Sequence, residues 1–225
     1  MRSGHVATVM PHPGPAMVAN ALSLVTDGIQ LLCCGTEKEL QVTRDFRNEV
    51  FLNRRGVVFD DGLEGRRDEE SHVMLLLKEG VPVATARSQP YPSDLSAVSM
   101  IAPTPLRYDA DSEVGRIAAK RSPQSTYYSL VLLALGAGWL LEHTRHRRYV
   151  AYCHPKLLHI YQLVGAEDTG ETCVVPGRAD RHSIITGNYE SCARLGAALL
   201  SVSDAPSRAA IRWGRSRSDE PPGQR

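Results

Sequence analysis

The chain has 225 residues, of which 42% are hydrophobic and 23% are charged, so it can bury a core of its own. Its formal net charge is only +1 at pH 7, which gives no global reason to expect nucleic acid or a charged membrane surface as a partner. The five cysteines are odd in number and none forms a C-x-x-C pair, so neither a disulfide framework nor a zinc site is indicated. We expect a cytoplasmic protein with reduced thiols and no bound metal.

The two ends of the chain differ in composition from its middle. Residues 1–27 contain prolines and histidines that interrupt any signal-peptide core, and Asp27 breaks the apolar stretch, so no membrane span is predicted. Residues 203–225 mix serine, proline and arginine without apolar periodicity. We predict a flexible N-terminal segment at 1–27, one folded domain at 28–202 and a disordered tail at 203–225.

The first half of this domain alternates between strand and helix patterns. Residues 29–35 predict a strand, and residues 36–56 predict a helix because Thr36 and Glu39 have the spacing of a capping box. Residues 71–88 then predict two strands joined by a tight turn.

The second half contains one strand-helix-strand unit. Residues 112–119 predict a fourth strand, residues 127–148 a long apolar helix with a basic end, and residues 149–153 a fifth strand. The remaining predicted elements are a helix at 154–165, a strand at 182–188 and a helix at 189–200. The pattern is α/β with an antiparallel middle and one crossover, which favours a sheet covered by helices.

Three arginines lie where the pattern calls for apolar residues. At about 100° per residue, Arg47 falls within the apolar face of the first helix, a face formed by Leu40, Phe46, Val50 and Phe51. Arg87 and Arg116 interrupt apolar strands, and Glu113 precedes Arg116 in the same strand. A guanidinium in a core needs a partner. The arginines therefore indicate either a structural salt-bridge network or a cleft that binds a carboxylate, with Glu113 as a base.

These residues also carry a resemblance to a known family. The motifs in chain order are R-x-x-x-F (Arg47, Phe51), an acidic stretch ending at Asp68, V-A-T-A-R (Arg87) and E-V-G-R (Glu113, Arg116). Over residues 29–165 this order resembles the autoinducer synthase and N-acyl amino acid synthase branch of the GNAT superfamily. The resemblance implies a GNAT-like acyl-CoA N-acyltransferase fold, a mixed and mostly antiparallel sheet flanked by helices and splayed between strands 4 and 5. An acyl thioester would lie in that gap and be attacked by an amine.

The turn after the fourth strand departs from the GNAT pattern. The superfamily's Gln/Arg-x-x-Gly-x-Gly/Ala loop cradles the coenzyme A pyrophosphate, whereas residues 120–125 read K-R-S-P-Q-S and contain no glycine. Lys120, Arg121 and the helix N-terminus are instead suited to a single phosphopantetheine phosphate. The donor implied is an acyl carrier protein, with acyl-CoA as the alternative. The predicted donor-binding residues are Ile117, Ala118, Ala119, Lys120, Arg121, Ser122 and Ser125.

A second departure from the family pattern narrows the choice of acceptor substrate. Autoinducer synthases carry a tryptophan shortly after the R-x-x-x-F helix, and this chain has Val57, Val58 and Phe59 there. This favours a free amino acid or related amine over S-adenosylmethionine. The resemblance implies acceptor-binding roles for Arg47, Phe51, Asp68, Arg87 and Arg116.

Acyl transfer to an amine requires a base, an oxyanion donor and protonation of the departing thiolate. Glu113 is the predicted base, and the resemblance implies an oxyanion N–H around Ile117 to Ala119. Tyr161 matches the position of the GNAT tyrosine near the sulfur, although a half-buried helix tyrosine explains it equally well. His154 and His159 are not accompanied by a G-x-S-x-G elbow, so hydrolase chemistry is not indicated.

The sequence thus predicts an N-acyltransferase that moves a fatty acyl group from a carrier protein to an amino acid or related amine. Two alternatives remain open: a coenzyme A-dependent acetyltransferase with a degenerate loop, and a non-catalytic GNAT-like binding module.

Overall fold

The computed structural model describes residues 28–55, 61–101, 108–175 and 180–202. They contain one seven-stranded sheet in the order β1-β2-β3-β4-β5-β7-β6. The strands are β1 (Ile29–Cys33), β2 (His72–Lys78), β3 (Val81–Pro90), β4 (Ser112–Ala119), β5 (Arg148–Cys153), β6 (Glu167–Val174) and β7 (Arg181–Asn188). The helices are α1 (Glu37–Arg55), α2 (Asp61–Glu69), α3 (Ala97–Ile101), α4 (Ser125–His143), α5 (Leu158–Leu163) and α6 (Tyr189–Val202), with a 3₁₀ turn at Pro155–Leu157. The predicted end segments, 1–27 and 203–225, lie outside the described residues, as do residues 57–59.

The sheet is mixed and mostly antiparallel, as predicted. Among the strands of the described ranges, β4 and β5 are the one parallel pair, and α4 connects them. Their ladder contains just two pairs, Ser112 with Tyr149 and Glu113 with Val150. Beyond these pairs the two strands separate, which confirms the predicted splay and opens a gap in the middle of the sheet.

The start of α1 has the predicted capping box. The Thr36 hydroxyl accepts a hydrogen bond from the Glu39 N–H at 3.3 Å, and the Glu39 carboxylate accepts from the Thr36 N–H at 2.9 Å and the Gly35 N–H at 2.8 Å. Backbone donors that a helix start leaves unpaired are therefore satisfied locally.

The long helix α4 ends earlier than predicted. We predicted a helix over residues 127–148, but Thr144 is already extended, with φ −134° and ψ 174°. The Thr144 hydroxyl donates to the Leu140 carbonyl at 2.7 Å. Asp111 then accepts from the Arg147 N–H at 2.7 Å, so the basic residues turn towards β5 instead of extending the helix.

Three elements were missed by the sequence prediction, namely α2, α3 and β6. Helix α2 was missed because its buried positions hold Glu64, Arg67 and Asp68, so its inner face has no apolar periodicity. Helix α3 has only five residues. Strand β6 is the edge of the sheet and is largely polar and solvent-facing, so it lacks the alternation of a half-buried strand.

Helices cover both faces of the sheet. On one face, α4 and α6 pack over a core that includes Leu132, Trp139 and Ile185. On the other face, α1 packs through Leu40, Phe46, Val50 and Phe51. Of the helices in the described ranges, none combines the length and the hydropathy that a bilayer crossing requires. All five cysteines lie in described segments, and none is in a disulfide.

The contact between α4 and α6 leads to a stability prediction. A Cβ atom at Gly196 would lie 2.5 Å from the Ala134 Cβ and 3.3 Å from its Cα. We expect Gly196→Ala to lower the free energy of unfolding by about 1–3 kcal/mol through overpacking, despite the better helix propensity of alanine. The matched control is Gly65→Ala in α2, where nothing lies within 4 Å of the added Cβ. This change should stabilise the protein by up to about 1 kcal/mol. Urea unfolding of both variants checks the pair, and equal midpoints would contradict the close packing.

Candidate active site

A cluster of ion pairs lies between α2 and the sheet, with Glu64 at its centre. One Glu64 oxygen accepts from Arg87 Nη1 at 2.9 Å and from Arg116 Nε at 2.8 Å. The other accepts from Arg116 Nη2 at 2.6 Å and from Arg67 Nη1 at 2.8 Å. Glu64 thus joins two strands to α2 through three hydrogen bonds, and the fourth is to Arg67 within α2.

Asp68 extends this cluster to α1. Its Oδ1 accepts from Arg87 Nη1 at 3.0 Å, and its Oδ2 forms a close ion pair with Arg47 and accepts from Arg44 Nε at 3.3 Å. The structure therefore brings together the three arginines that the sequence singled out, Arg47, Arg87 and Arg116, with the predicted Asp68. Glu64, the partner that Arg87 and Arg116 share, was not predicted.

The electrostatics of the cluster leave an excess of positive charge. Burial alone would raise the pKa of Glu64, but hydrogen bonds and charges from Arg116, then Arg87 and Arg67, hold that pKa well below its ordinary range. Three buried guanidiniums and a half-buried one face two buried carboxylates: the buried guanidiniums are those of Arg47, Arg67 and Arg87, the half-buried one is that of Arg116, and the carboxylates are those of Glu64 and Asp68. Such an excess favours an anionic ligand at the edge of the cluster.

The gap between β4 and β5 contains a cavity of about 1040 Å³, counting its open mouth, which we call the splay cavity. Its apolar side is formed by Met74, Leu132, Gly136, Leu140 and Ile185. Its polar side is formed by Arg87, Arg116, Tyr152, His154 and His182. One continuous space therefore has the walls that an acyl chain requires and, beside them, two of the clustered arginines.

A β-bulge lies on the wall of the splay cavity at Arg116. Arg87 pairs with Gly115 and Thr85 pairs with Ala118, so Arg116 and Ile117 together face Ala86. Arg116 has φ +54°, a left-handed conformation that costs a non-glycine residue about 1–3 kcal/mol. A bulge takes backbone groups out of the ladder. Among the residues predicted to offer an oxyanion N–H, this places Ile117 at the interruption, whereas Ala118 and Ala119 pair with β3.

A second cavity of about 680 Å³, the donor cavity, adjoins the first. Phe51, Ile117, Leu133, Leu157 and Tyr161 line both cavities. Of the predicted donor-binding residues, Ile117, Ala118, Ala119 and Ser125 line the donor cavity. The two cavities together run from the β4–α4 turn to the apolar interior, and Tyr161 stands where they meet.

The β4–α4 turn is closed by hydrogen bonds of its own. The Ser125 hydroxyl accepts from the Ser122 N–H at 2.9 Å, and the Ser122 hydroxyl accepts from the Gln124 N–H at 3.2 Å. The Ser125 N–H donates to the Ser122 carbonyl at 3.1 Å. Lys120 and Arg121 are exposed on this turn. Backbone donors that a glycine-rich loop offers to a pyrophosphate are here used within the turn, while two cationic side chains face solvent.

Glu113 is buried and contacts the start of α3. It is 2% exposed, and its Oε2 accepts from the Ser96 hydroxyl at 2.6 Å and the Val98 N–H at 3.0 Å. Burial raises the pKa of Glu113 above its ordinary value, against the lowering effect of these two hydrogen bonds. Glu113 is not among the residues that line the splay cavity or the donor cavity. Its catalytic role stays a prediction, and its contacts are those of an anchor for α3.

A polar cleft of about 850 Å³ lies on the outer side of the ion-pair cluster. It is lined by Gln41, Arg44, Asp45, Arg47, Asn48, Glu64 and Asp68. Arg47 and Asp68 therefore face this cleft, while Arg87 and Arg116 face the splay cavity. The predicted acceptor-binding arginines thus divide between two spaces, and Glu64 and Asp68, which line only the polar cleft, are the carboxylates that pair with them.

Sequence reasoning missed Glu64, Tyr152 and His182 as site residues. Glu64 had a signal, since it lies four residues before Asp68 and three before Arg67, which puts all three on one face of a helix. Tyr152 and His182 had none, because only the tertiary arrangement of β5 and β7 turns them into the same cavity.

No model of a known protein family matches the sequence, and no curated protein matches it. Solved structures resemble the fold. The coenzyme A-dependent acyl-homoserine lactone synthase BjaI superposes with a TM-score of 0.62 at 16% identity, covering 84% of this chain and 95% of BjaI. FeeM, an N-acyl amino acid synthase from uncultured soil microbes, gives a TM-score of 0.60 at 14% identity, covering 80% of this chain and 100% of FeeM. An acyl-CoA N-acyltransferase from Pseudomonas aeruginosa gives a TM-score of 0.51 at 14% identity, covering 71% of this chain and 97% of the other protein. The chain therefore has the GNAT-like acyltransferase fold that its motifs implied.

Proposed function

We propose that the protein is an N-acyltransferase that moves a fatty acyl group from an acyl carrier protein to the amine of an amino acid or related small molecule. The observation that carries this proposal is the splay cavity, which joins an apolar space to a wall with excess positive charge. An acyl chain fits the apolar space, and the carboxylate of an acceptor fits the positively charged wall. Similarity of fold to FeeM and BjaI is in keeping with this chemistry.

The donor is proposed to be a carrier protein because of the β4–α4 turn. The turn uses the Ser122, Gln124 and Ser125 N–H groups internally, and Pro123 has none to offer. The exposed Lys120 and Arg121 suit one phosphopantetheine phosphate and an acidic protein surface. Acyl-CoA is the alternative donor, and the similarity to coenzyme A-dependent BjaI favours it.

The acceptor is proposed to be an amino acid because of the arginines. Arg87 and Arg116 reach the splay cavity while Glu64 fixes their positions, and Arg47 is held by Asp68. Phe51 lines both cavities, where it would separate the acceptor from the donor arm. A carboxylate placed against Arg87 and Arg116 in the splay cavity would orient the adjacent amine towards the thioester.

The reacting carbonyl is proposed to lie at the bulge. An N–H of Ile117 would stabilise the oxyanion of the tetrahedral intermediate. Tyr161, between the two cavities, would lie near the sulfur and protonate the departing thiolate. The interior of the splay cavity would then hold the acyl chain away from water.

The function is tested by incubating the protein with a fatty acyl carrier protein or the matching acyl-CoA and a mixture of amino acids, followed by mass spectrometry. We expect an N-acyl amino acid as the product, with the higher kcat/KM for the carrier-bound donor. A higher value for acyl-CoA would support the alternative donor. Binding of both substrates without any product would support the non-catalytic module.

The docking of the carrier protein is tested by charge reversal. We expect Lys120→Glu with Arg121→Glu to raise KM for the carrier-bound donor, more strongly at low salt, because long-range attraction between exposed charges is screened by ions. The control is Arg145→Glu with Arg194→Glu, which makes the same change in net charge at exposed positions elsewhere. Equal KM values for the two double variants at every salt concentration would contradict docking at this turn.

A further inference from the structure

Two histidines line the polar side of the splay cavity, and their hydrogen bonds differ. His154 Nδ1 accepts from the Lys156 N–H at 3.1 Å, so this nitrogen carries no proton. His154 Nε2 therefore carries the proton of the neutral ring, 3.4 Å from the Asp180 carboxylate. Both nitrogens of His154 are committed to holding the segment between β5 and β7.

His182 has the opposite tautomer. Its Nδ1 lies 3.0 Å from the backbone carbonyl of Asp180, and because a carbonyl oxygen can only accept, Nδ1 must carry the proton. The lone pair of the neutral ring is then on Nε2. His182 is 2% exposed and lines the splay cavity, so the ring is fixed inside the proposed active site.

The ring of His182 is held by two aromatic neighbours. The Tyr152 ring lies edge-on at a centroid distance of 5.9 Å and an interplanar angle of 76°, and the His154 ring at 5.8 Å and 84°. Tyr152 in turn interacts with Arg116 across the gap between β4 and β5. His182 is thus linked through one side chain to an arginine that would bind the acceptor.

We propose that His182 is the general base of the reaction, a role that rests on the proposed N-acyltransferase function. The acceptor nitrogen attacks the thioester carbonyl carbon, a C–N bond forms, and His182 Nε2 takes the proton that the nitrogen loses. The tetrahedral intermediate then collapses, the C–S bond breaks, and the thiolate leaves with a proton that comes either directly from the imidazolium or from Tyr161, which the imidazolium then reprotonates. The ring returns to its neutral form at the end of the cycle.

The titratable groups around His182 define the expected pH dependence. They are Tyr152 on β5, His154 and its partner Asp180, and Cys173, which is paired with His182 across β6 and β7. The base works only when neutral, so kcat/KM should fall at acid pH as His182 becomes protonated.

The test uses His182→Asn, because the asparagine amide can still donate to the Asp180 carbonyl but has no basic nitrogen. We expect kcat to fall about 10²- to 10⁴-fold with the KM for the donor and the thermal stability retained. The acid limb of the pH profile should disappear. Hydroxylamine is largely neutral in solution and does not need a base to deprotonate it. Wild type and His182→Asn should therefore acylate hydroxylamine at similar rates. The control is His159→Asn on the exposed side of α5, which should match the wild type.

The outcomes separate the base from the function. If the wild type is active and His182→Asn has the same kcat, the role of His182 is overturned and the proposed function is not affected. A wild type inactive with every donor and acceptor overturns the proposed function, and the role of His182 with it. Independently of activity, long-range ¹H–¹⁵N spectra of the histidine rings should show His182 with its proton on Nδ1, and a proton on Nε2 would overturn the proposal.

Discussion

Replacing Glu64 with alanine is expected to lower the free energy of unfolding by about 3–5 kcal/mol, because it leaves buried arginines without their counter-charge. Glu64 pairs with Arg67, Arg87 and Arg116, and the last of these pairs uses both carboxylate oxygens. The control is Glu70→Ala in the exposed turn after α2, which should change stability by less than about 0.5 kcal/mol. Chemical denaturation of both variants provides the measurement.

The Glu64 carboxylate also makes the free energy of unfolding depend on pH in the acid range. Because the folded-state pKa of Glu64 lies below its ordinary value of 4.5, its stabilising effect is complete above that pH and is lost as the pH falls towards the folded-state value. Glu64→Gln removes the charge at every pH. The difference in unfolding free energy between wild type and Glu64→Gln should therefore shrink steadily below about pH 4.5. A constant difference down to strongly acid pH would contradict the ion-pair assignment.

Glu113 is expected to behave as an anchor. Glu113→Ala removes the acceptor for the buried Ser96 hydroxyl and the Val98 N–H, and we expect it to cost about 2–5 kcal/mol of stability. Glu113→Gln keeps a carbonyl acceptor of the same length, so it should cost far less. Ser96→Ala combined with Glu113→Gln should show a coupling free energy of about 0.5 kcal/mol or more, since the two side chains share one hydrogen bond.

The pH dependence of the Glu113 variants has the opposite sign to that of Glu64. Burial raises the folded-state pKa of Glu113 above 4.5, so its contribution is present below that pH and is lost as the pH rises through the folded-state value. Glu113→Gln stays neutral, so its free energy of unfolding should rise relative to that of the wild type as the pH increases from 4.5 through the folded-state pKa of Glu113. With His182 as the base, kcat of Glu113→Gln should remain within about tenfold of wild type. A fall of about 10²- to 10⁴-fold in a stable protein would instead establish Glu113 as the base.

The sequence predicted the sheet and its crossover because their signals are local and strong. The capping box at Thr36 and Glu39, the hairpin of β2 and β3, and the apolar length of α4 each depend on neighbouring residues. The family resemblance carried by the motif order then predicted the splay between β4 and β5. Helix α2 escaped because charge replaces hydrophobicity on its buried face, and a periodicity of apolar residues cannot detect a helix that packs through Glu64 and Asp68.

The site was predicted unevenly for a related reason. Arg47, Arg87 and Arg116 were recognisable because a charge within an apolar pattern is visible along the chain. Their distribution between the polar cleft and the splay cavity depends on how three elements meet, which no local pattern encodes. His182 and Tyr152 lie on strands whose apolar neighbours mask them, and only the pairing of β5 with β7 brings their rings together.

The polar edge strand β6 has a consequence for self-association. It bears Glu167, Asp168 and Glu171, and its pairing with β7 is interrupted by a bulge near Gly170, which has φ +76°. A strand from another molecule could add here only by bringing its backbone against these carboxylates and around the distorted ladder. The charge and the irregularity that hid β6 from sequence prediction therefore protect this border of the sheet against amyloid-like stacking, and neutralising the three acids should make the protein more prone to aggregate.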